Sequence, residues 1–173
     1  MKAVAVLALS LMALAACGKV EEQTSVAASS SNVNGIITNT KVLMTDYAMR
    51  AALGTNPNTA AYVTIKNGGD KPETLLSASC ACAAKASLHE MTMTDGVMSM
   101  GEKTGGFEIK PGETLVLAPG GNHIMLEGLT ERPAEGQTVN VTLTFDGAGP
   151  ITLGMPVSNA PLAKTGTSEE HVH

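Results

Sequence analysis

The chain has 173 residues, 43% of them hydrophobic and 16% charged, a balance that suits one ordinary globular domain with appendages and excludes a disordered polymer. A formal charge of -5, only two tyrosines and two phenylalanines, and no tryptophan leave neither a phosphate-neutralising footprint nor a base-stacking surface. Nucleic acid is therefore not an expected partner.

At the N-terminus Lys2 precedes the apolar run AVAVLALSLMALAA, which stops at Cys17 and is too short for a comfortable bilayer span. Residues 1–17 are expected to be a signal peptide. Leu14-Ala15-Ala16-Cys17 looks like a bacterial lipobox, which makes Cys17 the lipid-modified first residue of the mature chain. A plain secretory signal cut nearby is the alternative. Gly18, where an aspartate would signal retention, resembles the sorting pattern for the outer membrane in a cell with two membranes. The expected location is thus the bacterial envelope, lipid-anchored and facing the periplasm. Removing Lys2 leaves ten basic residues against sixteen acidic ones. Residues 18–34 are rich in Gln, Ser, Ala and Asn without apolar period, a flexible tether with a span of about 20–25 Å.

From Gly35 to Val157 the pattern is of short strands separated by turns, with one possible break. Met44–Leu53 reads as a short helical turn. Strands are expected over Ala60–Lys66, Glu73–Ala78, Ala84–Thr94, Val97–Gly101, Glu113–Ala118, Asn122–Glu127 and Ile151–Val157. Val139, Val141, Leu143 and Phe145 alternate with polar residues, as in a strand with one buried face. Asn67-Gly68-Gly69-Asp70, Asp95-Gly96, Pro111-Gly112, Pro119-Gly120-Gly121 and Asp146-Gly147 are the turn signals between them. The fold class is all-β, an antiparallel sandwich or barrel. Residues 158–173 form a tail, disordered from Pro161 onward.

The segment HEMTMTDGVMSM, residues 89–100, holds four of the ten methionines and one of the four histidines. Asp-Gly between extended segments favours a two-residue hairpin, since both central positions take positive φ. With Asp95 and Gly96 as the loop, Met93 pairs with Met98, Met91 with Met100 and His89 with Glu102. His89, Met91, Met93, Met98 and Met100 then share one face. Methionine is a common gap-filler, so that face is either packed core or a metal site. Leu88 places the core side on the even positions, which carry Glu90, Thr92 and Thr94 further out, so the hairpin is expected to project beyond the core. Along His123-Ile124-Met125-Leu126 the apolar pair takes the core and sends His123 and Met125 to the opposite face.

Imidazole with neutral thioether suits Cu(I), whereas zinc, calcium and magnesium prefer thiolates, imidazoles or carboxylates. Glu90 or Asp95 is a candidate to offset the copper charge. A site without thiolate, with ligands replaceable one at a time, suits a carrier.

These residues give the chain its resemblance to the periplasmic copper chaperones of the PCuAC type, whose pattern is a histidine, ten residues, a methionine, twenty-one residues and His-x-Met. It spans roughly Gly35 to Val157, through AAYVTIKNGGD, LHEMTMTDGVMSM and PGGNHIMLEGL. The resemblance implies a cupredoxin-like β-sandwich with His89, Met100, His123 and Met125 as Cu(I) ligands, and Met91, Met93 and Met98 as auxiliary or packing residues. It also implies delivery of copper outside the cytoplasm towards the CuA centre in subunit II of cytochrome c oxidase, alongside a Sco-type protein. Residues 101–122 make the second gap twenty-two, one more than the pattern, and the extra residue is expected in Gly101–Gly106.

Blue-copper electron transfer requires a cysteine ligand near the histidines, and no cysteine follows Cys82. Copper scavenging or storage at the envelope uses the same ligands as delivery and stays open. No nucleophile motif or phosphate loop argues for an enzyme. Cys80 and Cys82, two apart in a strand, would lie about 6.5 Å apart and poorly aimed for a disulfide, so they are expected as thiols unless a turn joins them. They are either small packing residues or an accessory thiolate or redox site. His171 and His173 near the end of the chain are either a solvated tail or a weak Cu(II) capture site.

Overall fold

The computed structural model describes residues 41–159 and two short strands ahead of them. Its twelve strands are β1 Ser31–Val33, β2 Ile36–Thr38, β3 Val42–Met49, β4 Thr59–Asn67, β5 Glu73–Ser79, β6 Ala83–Thr94, β7 Val97–Glu102, β8 Phe107–Ile109, β9 Thr114–Leu117, β10 His123–Leu129, β11 Thr138–Phe145 and β12 Gly149–Pro156. One sheet runs β1-β2-β3-β4-β10-β6-β7, with β9 also beside β4, and the other runs β12-β11-β5-β8. Every strand pair is antiparallel.

In β11, Val141, Leu143 and Phe145 are buried and Thr142 and Thr144 between them are not. A period of two puts all the apolar side chains on one face, and β-branched and aromatic residues pack well on a pleated surface. The same logic buries Val63, Ile65, Ile124 and Leu126 from the first sheet against Leu75, Ile109, Leu143, Leu153 and Met155 from the second. Full burial of side chains of this size contributes roughly 1.5–3 kcal/mol each. The expected antiparallel sandwich is the observed one.

Two buried polar groups hold the turns. Asn67 donates to the carbonyls of Lys71 at 2.7 Å and Ile109 at 2.8 Å and accepts from Gly69 N at 2.9 Å. Glu73 accepts from the amides of Gly147 and Ala148 at 3.1 and 3.0 Å, with Lys41 3.5 Å away. A buried polar group is tolerated when its bonding capacity is filled, as it is in both cases.

Three expectations need correction or extension. Met44–Leu53 is not helical: most of it lies in β3, paired with β4. Apolar residues at 44, 48, 49 and 51 imitate a helical period because the register shifts between Thr45 and Ala48, where Asp46 takes φ 50°. That irregularity resets the alternation, so Ala48 and Met49 are both buried. The strand β8 has only three residues and carried no sequence signal of its own. Finally, β1 falls within the stretch expected to be tether and pairs with β2.

Candidate metal centre

The Asp95-Gly96 turn has φ of 52° and 79°, and the pairing on either side is Thr94 with Val97, Met93 with Met98, Met91 with Met100 and His89 with Glu102. This is the register expected from the turn chemistry alone. The pairing runs without interruption from the turn to Glu102, so Met100 keeps its face. The chain then turns through Lys103–Gly106, closed by Gly106 N on Lys103 O at 3.2 Å. Gly106 has φ 73°, and a Cβ there would collide with the Leu75 carbonyl, so the tight passage requires glycine.

The hairpin leaves the core. Leu88 is buried, Met91 is half-buried, and every residue of β7 is exposed. Met93 is 68% exposed, Met98 50% and Met100 54%. These thioethers do not fill the sandwich.

The second histidine is brought alongside by an interruption of β9 and β10. Leu117 lies opposite Val63 and Ile124 opposite Ala61, so the chain advances seven residues while β4 advances two. The excess forms the loop containing Pro119, Gly120 and Gly121, closed by Ala118 N on Asn122 O at 2.8 Å and Gly121 N on Ala118 O at 3.0 Å. Asn122 Oδ1 then accepts from Met91 N at 2.9 Å, tying the loop to the base of the hairpin.

In the resulting register His123 lies directly opposite His89, and Met125 opposite Ser87. The two imidazole rings are 5.4 Å apart, tilted by 55°. Met100, His123 and Met125 line one cleft of about 350 Å³, walled by Tyr62 and by residues of the β3–β4 loop including Arg50 and Asn58. His89 is not part of that lining and stands behind it, its ring next to that of His123. Thus the structure brings His89 and His123 together and places Met100 and Met125 around the second of them. Met91, Met93 and Met98 lie on the hairpin outside the cleft lining.

The histidines are prepared differently. His123 Nδ1 is 2.8 Å from the Gly121 carbonyl, which can only accept, so Nδ1 is the donor and Nε2 is the ring nitrogen left for a ligand bond. His89 Nε2 is 3.1 Å from Ser87 Oγ, while its Nδ1 is buried without any hydrogen-bond partner. A buried ring nitrogen without a partner costs free energy unless something occupies it. That orphaned nitrogen fits a soft cation held by imidazole. Burial and then the facing His123 lower the His89 pKa, partly opposed by Glu127 and Glu102, so its neutral, ligating form is favoured.

The neighbouring carboxylates differ from the expected ones. Glu90 lies on the other face, 2.8 Å from Lys103 Nζ, and Asp95 sits in the exposed turn. The acidic field at His89 comes instead from Glu102 and Glu127. Lys85 stands 2.7 Å from Glu102 and 3.7 Å from Glu127, and its hydrogen bond lowers the Glu102 pKa. Sequence reasoning also missed Tyr62, which lines the same cleft as His123, and Asn122, whose role depends on the inserted loop.

Cys80 and Cys82 are not free thiols. A tight turn brings their Cα atoms to 5.1 Å and they form a disulfide. The oxidised pair presents no thiolate to a metal, so an accessory thiolate site there would require its reduction. Among the described residues no group of three His, Cys, Asp or Glu side chains is placed to hold a metal ion, so a metal at this face would have to draw on thioethers besides the two histidines. Cys17, His171 and His173 lie outside the described residues.

This all-β antiparallel fold is similar to that of the PCuAC domains. The copper-bound PCuAC domain of PmoF2 superposes with a TM-score of 0.57 at 22% identity, over 68% of this chain and 92% of that one. The apo PCuAC domain of PmoF1 superposes with a TM-score of 0.58 at 22% identity, covering 68% and 93%. The chain itself belongs to the LpqE-like family, whose model, described as "Putative lipoprotein LpqE-like", matches residues 42–157. A lipoprotein of Leifsonia xyli subsp. xyli (strain CTCB07), described as "Putative lipoprotein Lxx21020", is 39% identical over 101 residues, 58% of this chain and 61% of that protein. The match thus spans about three-fifths of the relative's length. Family and fold together bear out the resemblance read from the sequence.

Proposed function

We propose that this lipoprotein binds Cu(I) through His89, Met100, His123 and Met125 and carries it outside the cytoplasm to a copper-accepting protein. The observation that carries the reading is the pairing of His89 with His123 on a face that also presents Met100 and Met125 at one cleft. Two neutral nitrogens and two neutral sulfurs match a soft monovalent ion. Glu102 and Glu127 partly compensate its charge without ligating it.

The open cleft and the exposed Met93 and Met98 suit stepwise ligand exchange, with the hairpin thioethers as auxiliary donors during entry or exit. The lipid on Cys17 would hold the domain at the envelope, and the PCuAC resemblance directs delivery towards the CuA site of cytochrome c oxidase. The Cu(II) capture role of His171 and His173 stands as an accessory to this reading. The test is transfer. The Cu(I)-loaded full chain is mixed anaerobically with an apo soluble CuA domain, the two proteins are separated, and the copper bound to each is measured. Stoichiometric transfer, abolished by His123→Ala, is expected. Tight binding without transfer to any acceptor would favour envelope scavenging or storage.

A further inference from the structure

Cys80 and Cys82 remain outside the copper chemistry, and their setting argues against a structural staple. A disulfide stabilises chiefly by closing a long loop in the unfolded chain, and this one closes around a single alanine. Nor is it needed to hold the turn. Ala83 N bonds Cys80 O at 3.3 Å, Thr130 N bonds Cys82 O at 2.9 Å, and Thr130 Oγ1 donates to Ala81 O at 3.1 Å. The pair borders a cleft of about 340 Å³ that it shares with Arg132, Gln137 and Asn140. It lies just before the start of β6, with Cys82 seven residues from His89 along the strand and hence roughly 20 Å or more away.

We propose that Cys80–Ala81–Cys82 is a thiol–disulfide exchange site for an exported protein or peptide dithiol. Cys80 is the more exposed residue, while Cys82 is buried. An incoming thiolate attacks Cys80 Sγ, breaking the bond to Cys82 and forming a mixed disulfide, with Cys82 leaving as thiolate. The second thiolate of the partner attacks its own sulfur in that mixed disulfide and displaces Cys80. The Cys82 amide, which donates to Cys80 Sγ at 3.2 Å, stabilises this second leaving thiolate. The partner loses two electrons and gains one disulfide; the Cys80/Cys82 pair accepts the electrons and, from solvent, two protons.

The experiment equilibrates the full chain, detergent-solubilised and native, with a reduced synthetic peptide carrying two cysteines. Thiols are then trapped by alkylation and located by mass spectrometry. The expected result is one peptide disulfide formed per Cys80/Cys82 pair reduced, with the circular dichroism spectrum unchanged. After brief reduction, Cys80 should alkylate at least tenfold faster than Cys82. Failure of the peptide to reduce the pair until denaturant is added would overturn the proposal, as would equal alkylation rates. Cu(I) affinity of the Cys80→Ser/Cys82→Ser variant is measured in parallel and should stay within twofold of wild type, so failure here is distinguishable from failure of the copper reading.

Discussion

The sandwich core and the β6–β7 hairpin carry similar alternations of apolar residues and put them to opposite uses. In β11 and β12 the apolar side chains meet the facing sheet and are buried. In the hairpin the alternating methionines project past the last layer of core and all of β7 is exposed. Exposure of thioethers that a core would have used is costly in apolar surface, a cost that the proposed copper-handling role would explain. Alternation alone therefore does not identify a buried face; what lies beneath it does.

The comparison can be broken first by truncation. Leu143→Ala should cost about 2–5 kcal/mol by the general cavity rule for core leucines, whereas Met93→Ala and Met98→Ala should stay within about 0.5 kcal/mol. Urea unfolding of the three variants checks this, and a large loss at Met98 would mean that the hairpin packs after all. Next in size, Met100→Ala should weaken Cu(I) binding by at least about tenfold, since losing a ligand should cost no less than the roughly 10–100-fold typical of losing a group that only orients one, while moving stability little. Chelator competition and thermal melting read the two effects separately.

Asn122→Ala removes the acceptor for Met91 N and should cost about 1 kcal/mol, with a weaker second effect on copper as the hairpin base loosens. The smallest effect concerns acid stability. Asp146 Oδ1 accepts from Thr74 N at 2.7 Å and Gly147 N at 2.8 Å, which lowers its folded pKa below the usual 3.8. The sign follows: its contribution is present above pH 3.8 and is lost as pH falls through the lower folded value. Asp146→Asn keeps an acceptor oxygen but cannot titrate, so its melting temperature should decline less below that pH than wild type's.

Much of this was legible in residue order. Asp95-Gly96 specified the hairpin register because a two-residue loop allows only one pairing, and Ile124 and Leu126 specified the face of His123 and Met125 because only one face can be core. What stayed hidden depends on places where alternation is interrupted. The shift at Asp46 disguised β3 as a helix, and a turn at Ala81 closed a disulfide that an extended strand would have prevented. The meeting of His89 with His123 depends on the order of β10 beside β6, which no local pattern encodes. The walls of the cleft come from a loop whose path over the sheet was equally invisible.

The most direct test is an anaerobic Cu(I) titration of the full chain against a competing chelator, comparing wild type with His89→Ala/Met100→Ala and with His123→Ala/Met125→Ala. Loss of one tight equivalent in both double variants is the expected result, since both pairs would belong to one centre. Unchanged binding in both would contradict it and return the methionine face to packing or solvent.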